Sequence, residues 1–211
     1  MEAFKVGDYD YRREYNAKRW QTNYDFPAVD RGDVILQEMK NDRPTGMNAL
    51  AMNSRREIFS NPRVREALSY AYDHEWINKV LYDNAYTRTD SYFDNSPLAS
   101  SGLPSKEELE LLNPWKDRLP EEIFTKTYKP PISDGSGTPR DNLRIAKKML
   151  EEEGWKIENG KLMKEGKEFV FEFLIVSPSV ERLALAFQKT LETLGITMNV
   201  RTVDSSQYQA R

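Results

Sequence analysis

The sequence holds no cysteine and a single histidine, His74. Zero cysteine excludes a disulfide framework, thiolate zinc sites and cysteine nucleophiles. A histidine-based catalytic centre would have to use His74, with a nucleophile and an orienting acid beside it. His74 sits instead in Asp73-His74-Glu75-Trp76, a helix-start sequence in which a polar residue is comfortable, so a structural role is expected. The acidic residues show neither EF-hand nor HExxH spacing, and no metal site is expected. Gly135-Ser136-Gly137 matches neither the P-loop nor the dinucleotide fingerprint and reads as a plain turn. We therefore assign no catalytic residue, no enzymatic activity and no cofactor.

Long apolar runs and charge of one sign are missing as well. No stretch approaches the ~20 apolar residues of a membrane helix. Met1 is followed by Glu2, not by the basic and then apolar regions of a secretory signal. Lys and Arg number 31 against 34 Asp and Glu, a net charge of −3 with the signs intermixed. That balance excludes a basic nucleic-acid face. With 38 % hydrophobic residues in 211, the chain has enough apolar material for an ordered core of modest size.

What is present is a patterned α/β sequence. Asn16 to Thr22 reads as a short helix stopped by Asp25-Phe26-Pro27. Val34-Ile35-Leu36 and Asn48 to Asn53 read as strands on either side of the turn Arg43-Pro44-Thr45-Gly46. Asn61-Pro62 is a helix start, and Val64, Ala67, Leu68 and Ala71 follow at helical spacing. Asp73 can cap a second helix carrying Trp76, Ile77, Val80 and Leu81. Residues 84–104 look irregular, and Ser105 to Leu112 helical with glutamates near its positive end. Residues 113–139, with Pro114, Pro120, Pro130, Pro131 and Pro139, read as a long ordered loop. Thr138-Pro139-Arg140-Asp141 resembles a capping box for a helix that buries Leu143, Ala146 and Leu150 and ends at Gly154. Asn159-Gly160 predicts a type I′ hairpin. Phe169 to Val176, apolar almost throughout, predicts a central strand covered on both faces. A helix through Val180, Leu183, Phe187, Leu191 and Leu194 and an alternating strand from Ile196 complete one right-handed β-α-β unit over about 169–203.

Few residues carry chemistry. Glu151-Glu152-Glu153 reads as a solvated helix end. The basic pairs Arg55-Arg56 and Arg63/Arg65 read as surface charge or, functionally, as guanidinium forks for a ligand carboxylate. Tyr86-Thr87-Arg88-Thr89-Asp90-Ser91-Tyr92-Phe93 mixes planar apolar surface with hydroxyl and charged donors, the make-up of a ligand-lining loop; edge-strand packing accounts for it as well.

Residues 50–86, with Asn53, Arg55 and then Phe59-Ser-Asn61-Pro-Arg63-Val64-Arg65-Glu-Ala67-Leu68-Ser-Tyr70-Ala71-Tyr-Asp73, resemble the signature of the extracellular solute-binding family 5. Tyr24 to Ala28, Ser91 to Pro104 and Asp134 to Arg144 are similar to its YejA-like branch, which takes oligopeptides and microcin C. Asn142 to Trp155 is similar to the family's Ala-x-x-Leu-Leu helix, with Glu153 where alanine is usual. The resemblance implies an α/β, class II periplasmic-binding-protein lobe with a mixed sheet and flanking helices. Residues 1–32 would be a lead-in from the neighbouring lobe or hinge, 33–203 an incomplete C-terminal lobe, and 204–211 the start of a truncated following segment. The acidic residue that holds a ligand's amino terminus in peptide-binding relatives would lie beyond Arg211.

It further implies the substrate-binding component of an ABC importer, exported to the periplasm. A peptide-like ligand would close two lobes over itself, and inner-membrane permease subunits would receive it. A monomer is expected, with no nucleic-acid partner. Expected ligand-side residues are Asn53, Arg55, Arg88, Ser91, Tyr92 and Phe93. The alternative on the same fold is a ligand-sensing module of a regulatory protein. A hydrolase is the third class, and the single histidine in a helix cap disfavours it.

Overall fold

The structure is a computed structural model that describes residues 1–210. In chain order, α1 (Glu2–Lys5), α2 (Ala17–Thr22) and α3 (Pro27–Asp30) precede an irregular stretch over 35–53. Then come α4 (Glu57–Ser60), α5 (Pro62–Tyr70), α6 (His74–Tyr82), α7 (Lys106–Leu112), a 3-10 segment (Asn113–Arg118) and α8 (Glu122–Thr125). α9 (Arg140–Glu152) leads into the antiparallel meander β1 (Lys156–Glu158), β2 (Lys161–Lys164) and β3 (Lys167–Glu168). β4 (Val170–Ile175), α10 (Pro178–Glu192), β5 (Thr197–Thr202) and α11 (Ser205–Gln209) close the order. The chain divides into two compact units, one of residues 1–38, 52–87 and 131 onward, the other of 39–51 and 88–130.

The first unit holds the hydrophobic core. β4 and β5 pair in parallel from Val170↔Thr197 to Ile175↔Thr202, with α10 as the crossover, so the expected β-α-β unit is present. α5 packs on α9, and each contributes an alanine with no exposed surface, Ala67 and Ala146. Phe169 is fully buried, with ring centroids 4.6 Å from Trp155 and 6.1 Å from Phe59. Burial of such a ring stabilises by about 2–3 kcal/mol. The Thr190 hydroxyl donates to Ala71 O at 2.7 Å, tying α10 to the end of α5. Toward the N-terminus of this unit, Tyr24 and Phe26 are buried, and the Arg12 guanidinium donates to the hydroxyls of Tyr9 and Tyr24.

The part of the family-like signature around Asn61, Arg63 and Arg65 is scaffolding. The Asn61 side chain accepts from Arg63 N at 2.8 Å, and Pro62 takes the first helical position of α5. Arg65 donates to the carbonyls of Phe59 and Ser60 at 2.6 and 2.9 Å, satisfying the end of α4. Arg63 reaches Glu152 at 3.1 Å, and Asn61 Nδ2 donates to Glu153 at 2.5 Å. The glutamate run at the end of α9 is thus a tie to α5, more than a solvated end.

Several sequence expectations need correction. Val34 to Leu36 and Asn48 to Asn53 form no strands; Ile35 is 84 % exposed and finds no ladder partner among the described residues. β4 is covered on one face only. Phe169 and Ile175 are buried while Val170 and Val176 are exposed, because α10 packs against the pair from one side and the apolar run concealed a period of two. The capping box at Thr138 does not form: Pro139 itself occupies the cap position of α9, so the Thr138 hydroxyl lies one residue too early. Within 113–139 the chain makes a 3-10 segment and α8.

The Asn159-Gly160 hairpin is as expected, with φ of 51° and 81°. Gly195 lets that hairpin approach. A Cβ there would stand 2.8 Å from Leu162 N, which donates to Gly195 O at 2.7 Å.

The second unit has no such core. Among its described residues Ser91 alone is buried, and Leu111 and Trp115 are exposed. α7 begins with a full capping box between Ser105 and Glu108.

Candidate functional site

The expected ligand-side residues fall into two groups. Asn53 and Arg55 belong to the first unit, at the exposed lead-in to α4. Asn53 Oδ1 accepts from Arg55 N at 3.1 Å, so the two form one polar turn. Arg88, Ser91, Tyr92 and Phe93 belong to the second unit.

In that second group the side chains diverge. Tyr92 is 74 % exposed and Phe93 51 %, whereas Ser91 is 7 % exposed. The Ser91 hydroxyl accepts from Ser100 N at 2.9 Å and Phe93 N at 3.4 Å. It is directed into the turn and fixes the aromatic pair from behind. Arg88 is half-buried. Asp90 holds the Lys129 ammonium at 2.5 Å, and that hydrogen bond raises the lysine's pKa. The turn thus presents two aromatic side chains to solvent, Tyr92 and Phe93.

A separate cluster in the first unit was read from the sequence only as a cap and a turn. Asp73 is 3 % exposed. Its Oδ1 accepts from Trp76 N at 2.9 Å, capping α6, and its Oδ2 accepts from Gly137 N at 2.8 Å. The Ser133 hydroxyl lies 2.5 Å from Asp73 Oδ1 and 2.6 Å from Glu75 Oε2. It has one proton for two carboxylates. Burial pushes the Glu75 pKa up, but the Ser133 hydroxyl and N–H outweigh it and hold the group below its ordinary value. The loop 133–137 is thereby clamped onto the start of α6.

His74 opens α6 with its ring 6.5 Å from that of Tyr72, the structural position expected of it. A cavity of about 180 Å³ beside the clamp is lined by Asp73, Trp76, Gly137, Thr138, Lys189 and Thr190. It is smaller than the ~300 Å³ at which ligand pockets begin. Its buried polar groups, Asp73 and Thr190, already have partners. Among the described residues no group of three acidic, histidine or cysteine side chains could hold a metal ion, and no helix is long and apolar enough to cross a membrane.

The family model for bacterial extracellular solute-binding proteins, family 5, matches residues 1–211. The chain belongs to that family. It is 43 % identical to the uncharacterized protein YejA of Escherichia coli over 213 residues, which is 100 % of this chain and 35 % of that protein. It is also 43 % identical over 215 residues to the probable peptide-binding protein YejA of Agrobacterium fabrum, again with 100 % and 35 % covered. The chain thus spans about a third of the length of these relatives. NikA of Brucella suis, solved with Fe(III)-EDTA, superposes with a TM-score of 0.64 at 18 % identity, covering 100 % of this chain and 36 % of its own. At that identity the likeness shows the fold alone: an α/β periplasmic binding protein. The family is one of solute-binding proteins, and the Agrobacterium relative carries the name of a probable peptide-binding protein.

Proposed function

We propose that the protein to which this chain belongs captures oligopeptides or peptide-like compounds in a cleft between two lobes and hands them to an ABC permease of the inner membrane, on the periplasmic side. The observation that carries the reading is the exposed Tyr92–Phe93 pair, fixed by the hydroxyl of Ser91. Aromatic rings combine a large apolar face with little rotamer freedom, and a turn that presents two adjacent ones provides a surface on which a peptide stacks. The printed name of the Agrobacterium relative, a probable peptide-binding protein, points the same way. Arg88 supplies a cation near the pair in sequence, and Asn53 and Arg55 are ligand contacts in this reading on chemical grounds, since an amide and a guanidinium suit peptide carbonyls and carboxylates. Roomy, wet side-chain pockets would accommodate varied sequences.

A thermal-shift screen of the full-length protein against mixed di- to octapeptides tests this. Stabilisation by peptides, reduced in Tyr92→Ala, is the expected result. No stabilisation by any peptide would reject the proposal.

A further inference from the structure

The second unit is held by polar contacts in place of a core, since Ser91 is its one buried residue among those described. Several of these contacts are internal to the turn that bears Tyr92 and Phe93. The Ser91 hydroxyl accepts from Ser100 N, and the Ser96 hydroxyl donates to Phe93 O at 2.7 Å and accepts from Leu98 N at 3.2 Å. Asp94 Oδ2 accepts from Asp90 N at 3.3 Å. Bonds of this kind give the turn its shape but not its place.

Its place is set by the next residue. Asn95 Nδ2 donates to Asn41 O at 2.7 Å and to Arg43 O at 3.0 Å, positions 54 and 52 residues earlier. Beside it, Asp94 O accepts from Thr45 N at 2.7 Å. Asn95 has φ 62°, the left-handed conformation that asparagine tolerates better than most residues. The amide side chain is thereby aimed at the two carbonyls. A further tether, Lys129 to Asp90, is an exposed ion pair of the kind that contributes little.

We infer that Asn95 is a positioning residue for the Tyr92–Phe93 pair. It ties the turn to segment 41–45, so that a peptide-like ligand with an apolar side chain meets a platform already in place. The inference rests on the reading that the pair faces the ligand. A pair on a loose loop would lose backbone and rotamer freedom on binding, and fixing it beforehand removes that cost.

The test uses the full-length protein with Asn95→Gly, which keeps the positive φ without strain and removes both donors. Binding is read by isothermal titration with alanine–phenylalanine peptides from di- to octapeptide, beside Tyr92→Ala, the double variant, and Asn84→Gly. The last makes the same exchange at another left-handed asparagine, φ 59°, in the first unit. Melting temperatures show whether each variant is folded. Asn95→Gly is expected to weaken binding about fivefold, while Asn84→Gly leaves it unchanged. In the Tyr92→Ala background Asn95→Gly should cost less than it does in wild type, because part of the platform that Asn95 holds is already gone. A structural role unconnected with the pair would give losses that add. Wild-type affinity in Asn95→Gly, or additive losses, overturns the inference and leaves the ligand reading standing. A wild type that binds none of the peptides, or Tyr92→Ala that binds like wild type, overturns the reading itself and the inference with it.

Discussion

The Asp73 carboxylate accepts the backbone N–H of Gly137 at 2.8 Å, across 64 residues of sequence. That bond is possible because residue 137 has no side chain. It has φ +80°, and a Cβ there would stand 2.8 Å from the Trp76 indole nitrogen. Gly137→Ala should therefore destabilise the protein by about 1–3 kcal/mol, from left-handed strain and the displaced indole. Urea unfolding followed by tryptophan fluorescence measures it. An unchanged midpoint would mean that the loop is not packed against α6.

The same clamp makes stability depend on acid. The Glu75 pKa lies below its ordinary value in the folded protein, so the group contributes stability above its unfolded pKa and loses it as pH falls through the folded one. Glu75→Gln removes this titration. Its stability should fall less steeply than wild type between about pH 5 and pH 3, the range of carboxylate protonation. Equal slopes in the two proteins would show that Glu75 does not report on the clamp.

Arg65, like Arg63, is a cation of the signature with a structural task. Arg65 Nη1 donates to the carbonyls of both Phe59 and Ser60, and Arg65→Lys keeps the charge but places its nitrogen on a shorter side chain, away from that position. Arg65→Ala should lower stability by about 1–2 kcal/mol, with Arg65→Lys in between. Peptide affinity in the full-length protein should stay unchanged in both. A loss of affinity at wild-type stability would place Arg65 among the ligand contacts instead.

The α-helices of six residues or more were legible in the sequence because their signals are local, whereas the shorter ones were not read. Asn61-Pro62, Asp73 and Ser105 each cap a helix with their own side chain or ring, within a few residues of the backbone groups they serve. The hairpin at Asn159-Gly160 was legible for the same reason, and so was the β-α-β unit with its two apolar periods. Apart from the Thr138 capping box, which misses by one residue, the failures were non-local. Val34 to Leu36 has the composition of a strand, but a strand exists only where a ladder partner exists. Phe169 to Val176 reads as covered on both faces, yet coverage depends on what packs there.

The candidate site divides along the same line. Composition alone left 86–93 as either a ligand-lining loop or a packed edge strand, and the structure forms no strand there. Only the tertiary structure separates Tyr92 and Phe93, which are exposed, from Ser91, whose hydroxyl is turned inward to two backbone N–H groups. Asn95 carried no signal beyond its tolerance of positive φ, because the carbonyls it meets belong to residues 41 and 43. Ser133 was equally silent until the fold brought it to Asp73 and Glu75. By itself the sequence determined the capped helices, the apolar periods and the family resemblance, since these depend on neighbours along the chain. Which polar side chains hold loops in place was decided by the tertiary structure, because a hydrogen bond acts over about 3 Å of space whatever the separation in sequence.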